Sequence, residues 1–157
     1  MRKHTINLYP QNRGPSRDGW LDLDRLASVE VTSEENGNTI DSALLAEGSR
    51  GWSAANPGPQ TIRLIFDRPQ TITRIRMLFE ESEHSRTQEF VLRWSSDGGH
   101  SFREIVRQQW NFSAPDSVRE IEDYAVRLPE ATLIELTIVP DISGGEARAS
   151  LGSLRLA

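Results

Sequence analysis

The strongest constraint in this chain is a spacing of two. From residue 28 onward, apolar side chains recur at every second position in one short run after another. Ile62, Leu64 and Phe66 share a face in QTIRLIFD (60–67), and Thr73, Ile75, Met77 and Phe79 do so in TRIRMLF (73–79). Phe90, Leu92 and Trp94 line up in EFVLRW (89–94), as do Ile134, Leu136 and Ile138 in TLIELTIV (132–139). SVEVT (28–32), FREIVRQQW (102–110), VREIEDYAVRL (118–128) and ASLGSLRL (149–156) complete the set. Successive strand side chains point to opposite faces, so this period buries one face and wets the other, whereas a helix needs a period of 3.6. Turn residues separate the runs at short intervals, and DGWLDLDRLAS (18–28) has room for one short helical turn. The pattern predicts an all-β antiparallel sandwich or barrel over residues 27–157. A polar arm, residues 1–26, precedes it, broken by Pro10, Gly14, Pro15 and Gly19 and pinned through Leu8, Tyr9 or Trp20. A chain of 157 residues is long enough to bury a core in one domain.

Between two of these runs lies SSDGGHS (95–101). Asp97-Gly98-Gly99 supplies the positive-φ positions of a tight hairpin, so Asp97 reads as a turn residue and His100 as a solvated neighbour.

Charge and composition exclude several functions. With 23 acidic and 18 basic residues the net charge is −5, which attracts neither nucleic acid nor an anionic membrane. Arg74, Arg76, Arg93, Arg103 and Arg107 alternate with apolar residues and have Glu104, Glu120 and Glu122 as neighbours, so cross-strand ion pairs on the solvent face account for them. The absence of cysteine rules out disulfides, thiol catalysis and cysteine-bearing zinc sites. MRKHTINLYPQNRG has no apolar stretch behind its cations, and no run is long enough to span a membrane, so the chain reads as a soluble cytoplasmic protein. Its three histidines, at 4, 84 and 100, accompany no nucleophile elbow, phosphate loop, dinucleotide fingerprint or zinc-protease motif, and the expectation is a non-enzyme without cofactor.

The hairpin F-x-L-x-x-S-x-D-G-x-x-x-F, from Phe90 through Ser95, Asp97 and Gly98 to Phe102, resembles the central hairpin of discoidin domains, also called coagulation-factor type C domains, of the galactose-binding-like superfamily. GWSAANPGPQTIRLIFDRPQTITRIRM (51–77) resembles the family's Trp-Ser pair and following two strands, and LIELTIVPDISGGEARASLGSLRL its last two. The resemblance spans residues 28 to 157 and implies an eight-stranded jelly roll that binds ligands, often sugars, through loops remote from its termini. It also implies where a structural calcium would sit in sugar-binding relatives. Here Glu47-Gly48 stands for the expected Asp-Gly and Ser153 lies near the expected Glu, so no metal is expected.

Strands that reverse at each connection send alternate loops to the same end. Turns at 67–71, 96–101 and 128–132 are short and plain; loops 45–59, 80–88, 111–117 and 140–147, at the opposite end, are long and chemically varied. The richest is EESEHSRTQ, where Glu81, Glu83, His84, Arg86 and Gln88 offer the donors and acceptors that sugar hydroxyls require. The competing reading is an acidic loop in which Arg86 pairs with Glu81 or Glu83. Asn111 and Phe112 follow as ligand contacts, with Phe112 the expected exposed aromatic; Trp52 is either a stacking platform or, more in keeping with its Trp-Ser match, packing beneath the loop. Two partners fit this end: a sugar or glycan, or a protein to which the module is an accessory.

Overall fold

The computed structural model describes residues 19–45 and 50–157. In chain order the elements are α1 (Leu23–Leu26), β1 (Ala27–Val31), α2 (Ile40–Leu44), β2 (Trp52–Ser53), β3 (Gln60–Glu80), β4 (Arg86–Ser95), β5 (Arg103–Phe112), β6 (Arg119–Val139), β7 (Ser150–Leu151) and β8 (Ser153–Leu156). All strand pairs are antiparallel. Among the described residues there are eight strands, as expected, but the chain is cut differently. β3 and β6 each run 21 residues through a segment expected to be a turn.

The reason lies in the partners. A hairpin at 67–71 would pair 73–79 back onto 60–66. Instead Gln60–Ile65 pair with Leu133–Ile138 while Arg74–Glu80 pair with Arg119–Ala125, with register shifts between Ile65 and Gln70, Gln70 and Ile72, and Ile72 and Arg74. The ladder bends at these irregularities rather than ending, as bulges allow. It folds onto itself. Phe79, near the end of β3, stacks on Phe90 of β4 with ring centroids 5.4 Å apart. Phe90 is in register with Ile138, which faces Gln60 at the start of β3. Both ends of β3 therefore lie at the same end of the sandwich.

The larger layer runs β1, first half of β3, second half of β6, β4, β5; the smaller holds the remaining halves of β3 and β6, with β8 on β3. Ile62, Leu64, Ile134, Leu136, Ile138, Phe90 and Leu92 from one layer meet Ile75, Met77, Phe79, Leu154 and Leu156 from the other, all buried. Each such side chain contributes about 1.5–3 kcal/mol. α1 is the short turn read from the sequence. Leu23 within it is buried, Leu21 N donates to Leu156 O at 2.7 Å, and Arg74 stacks on the Trp20 ring at 4.7 Å. Residues 1–18, including Leu8 and Tyr9, lie outside the described residues.

The hairpin at 95–101 is scaffold in its bonds. Ser95 Oγ donates to Asp97 Oδ1 at 2.6 Å and accepts from Gly99 N at 2.9 Å, while Ser101 N donates to Asp97 Oδ1 at 2.9 Å. The Ser101 and Ser95 hydroxyls hold the Asp97 carboxyl well below the usual carboxylate range. One expectation fails on β6. Glu120 is buried and Glu122 half-buried, facing the interior rather than the solvent-side arginines, because they share strand parity with Tyr124, Val126 and Leu128.

Candidate functional site

The varied end of the sandwich is assembled by a close backbone approach. Gly51 has φ +72°, and a Cβ there would sit 2.7 Å from Leu151 O, so a side chain is excluded on both counts. β2 can then pair with β7, Trp52 opposite Leu151 and Ser53 opposite Ser150. Gly152 N donates to Leu78 O at 2.8 Å, and Glu81 N to Val118 O at 2.8 Å. Segments 50–53, 80–85, 118–119 and 141–152 thereby enclose two adjoining open depressions. One, of about 530 Å³, is lined by Arg50, Glu81, Glu83 and Arg119; the other, of about 570 Å³, by Glu35, His84, Asp141 and Arg148. Ser53, Glu81, Glu83 and Ser150 form the wall between them and belong to both.

The sequence-derived residues divide. Glu81, Glu83 and His84 line the groove, with the side chains of Glu83 and His84 80% and 77% exposed and 4.0 Å apart. Trp52 borders the first depression but is buried, its Nε1 donating to Ser33 O at 2.9 Å, which is the packing role. Arg86, Gln88, Asn111 and Phe112 do not line either depression. Asn111 is exposed, with its Oδ1 accepting from Thr87 Oγ1 at 2.6 Å. Phe112 is not the exposed aromatic expected of it. As the in-register partner of Arg86 it is the last residue of β5, 2% exposed, and the Arg86 guanidinium lies 4.8 Å above its ring.

Arg86 is a buried strut. Its side chain is 2% exposed; Nε donates to Glu81 Oε1 at 2.8 Å, and Nη1 to Pro140 O at 2.7 Å and Gln88 Oε1 at 3.2 Å. It thus ties loop 80–85, the start of loop 140–147 and β5 together, and it has no surface to offer a ligand. Burial works to raise the Glu81 carboxyl, but the Arg86 hydrogen bond and the Glu83 and His84 backbone N–H groups outweigh it, and Glu81 lies below its ordinary value.

Arg50 is the residue that sequence reasoning missed. It is exposed in the groove and makes no hydrogen bond or ion pair among the described residues, whereas Arg119 is held by Glu80 at 2.9 Å. No local pattern singles out Arg50; it enters the site through the pairing of β2 with β7. Among the described residues no three His, Asp or Glu side chains are grouped to hold a metal ion, and Glu47-Gly48 lies outside those residues. Among them, too, no helix is long and apolar enough to cross a membrane.

A folded-over antiparallel sandwich with its polar side chains gathered around grooves at one end defines a discoidin-like module. The profile of the F5/8 type C domain matches residues 28–127, and the chain belongs to that family. No curated protein matches it in sequence. Similar solved structures include the CBM32 of AlyQ in complex with 4,5-unsaturated mannuronic acid, with TM-score 0.61 and 20% identity over 84% of this chain and 95% of that one. The family 32 CBM from C. perfringens NanJ in complex with galactose has TM-score 0.60 and 14% identity over 83% and 92%. CpGH89CBM32-5 from Clostridium perfringens, in complex with GalNAc-beta-1,3-galactose, has TM-score 0.63 and 20% identity over 83% and 94%. At these identities the likeness establishes the fold.

Proposed function

We propose that the loop end is a glycan-binding surface and that the module is non-catalytic. The observation that carries this is the pair of adjoining depressions with a shared wall at Glu81 and Glu83. Arg50, Glu83, His84 and the Ser53, Ser82 and Ser150 hydroxyls supply donors and acceptors for sugar hydroxyls around the two depressions. The Arg86 strut beneath fixes Glu81 in the shared wall and ties loop 80–85 to Pro140 before a ligand arrives, which lowers the ordering cost of binding. Proteins of the same fold are described in complex with sugars, which supports the class of ligand. Glycoside hydrolysis needs one protonated and one ionised carboxyl across the bond. Glu81 is held ionised by Arg86, and the carboxyl pushed strongly upward, Glu120, is buried away from the groove.

An NMR amide-shift titration with millimolar mono- and oligosaccharides tests this. Saturable shifts confined to residues 50–53, 81–85, 118–119 and 148–152 are expected. Silence across neutral, amino and uronic sugars contradicts it. A protein partner on the same end is the second reading, favoured by Ile142, which lies in loop 140–147 and is 49% exposed.

A further inference from the structure

A buried acid lies behind the Arg86 strut. Glu120, in the first half of β6, is fully buried, and its Oε2 finds no partner among the described residues. Gln88 Nε2 donates to Glu120 Oε1 at 3.2 Å, and the Tyr124 hydroxyl donates to Glu122 Oε2. A carboxyl this deeply buried, with no cation bonded to it among the described residues and one oxygen without a donor, favours its neutral, protonated form. Burial first, then Glu122, push the Glu120 carboxyl up to about 9.

From Gln88 the hydrogen-bonded chain continues to the surface. Gln88 Oε1 accepts from Arg86, Arg86 donates to Glu81, and Glu81 stands in the wall common to both depressions. The ionisable groups that reach Glu120 are Glu122 and Tyr124 from its own strand and Arg86 from β4. Phe79, its register partner on β3, and Trp110, which faces Gln88 from β5, bring no charge.

We propose that the proton held by buried Glu120 sets the position of Arg86 and, through it, of the groove carboxylate Glu81, so that the loop end responds to alkaline pH. With the proton in place, Glu81 answers the Arg86 charge. Its loss leaves a negative charge in the interior, with Arg86 the cation nearest along the chain of bonds. The guanidinium turns toward it across Gln88, and Glu81 loses the partner that fixes it in the wall. The consequence for ligand rests on the glycan reading; the coupling itself does not. By linkage, a ligand that draws Glu81 away from Arg86 favours release of the proton.

A carboxyl-carbon NMR titration of the whole chain from about pH 4 to 10 follows both groups without any ligand. Glu120 should titrate near 9, far above its ordinary value of 4.5, and the Glu81 resonance should show an inflection at the same midpoint, absent in Glu120→Gln. Titration of Glu120 among the ordinary carboxylates, or a Glu81 signal that does not follow it, overturns the proposal. Melting temperature supplies a second readout. Below 4.5 both folded and unfolded chains hold the proton; above it the unfolded chain gives up a proton that the folded one keeps until about 9. Stability from this group is thus fully present at acid pH and lost as pH rises across that window. Glu120→Gln, which mimics the protonated acid, should remove this slope. Should the variant fail to fold, the wild-type titration decides alone. An intact Glu81 inflection in a protein that binds no sugar defeats the glycan reading and leaves the coupling standing; sugar binding without the inflection does the reverse.

Discussion

Across the outer face of the larger layer, Glu30, Arg63, Glu135, Arg93 and Glu104 lie in one row, one from each of β1, β3, β6, β4 and β5. Signs alternate along the row, and Glu135 accepts from Arg63 at 2.8 Å and from Arg93 at 3.3 Å. At the loop end the charges are differently arranged. Glu81 is answered from below by Arg86, and Arg50 stands without a partner among the described residues. What separates the two regions is register. A sheet face sets side chains at fixed intervals, so opposite charges find each other and neutralise the surface. Loops impose no such interval, and groups left unmatched there remain available to a ligand.

The largest expected effect comes from breaking the strut between the two regimes. Arg86→Ala leaves Glu81 and the Pro140 carbonyl without their buried partner and should cost about 3–5 kcal/mol in denaturant unfolding, because removing one member of a buried pair strands the other. The same variant should lose ligand shifts through collapse of the groove, so it reports support rather than contact. A smaller effect is expected in the charge row. Glu135 is 8% exposed in its side chain but its arginine partners are 46% and 36% exposed, so solvent screens much of the attraction. Glu135→Gln keeps an acceptor and should cost about 1 kcal/mol, with ligand shifts unchanged.

The period-two runs were enough to read antiparallel strands with one buried face, the hairpin at 95–101 and the end at which the varied loops gather. What they left out was pairing at a distance. Asp67-Arg68-Pro69 has the composition of a hairpin turn, and a bend in a continuous ladder uses the same residues. Whether the next segment pairs backward or onward depends on residues 119–125, far away in sequence. Phe112 looked like loop because NFSAPDS is turn-like, although it shares parity with Trp110 and so with the interior. Glu120 and Glu122 were legible in principle: stepping back by two from Leu128 through Val126 and Tyr124 lands on both. Arg50 carried no comparable signal, since its role depends on the contact of Gly51 with Leu151.

The most direct measurement of the central claim is a paired titration of Arg50→Ala and Glu135→Gln with the same glycan that binds the wild type. Affinity should be at least about tenfold weaker for Arg50→Ala, which removes an exposed side chain with no hydrogen bond or ion pair among the described residues and should change stability by under about 0.5 kcal/mol. Glu135→Gln should bind as the wild type does. Equal affinity for Arg50→Ala, or a loss in Glu135→Gln matching it, would contradict the assignment of the unmatched charges to recognition and the matched ones to the scaffold.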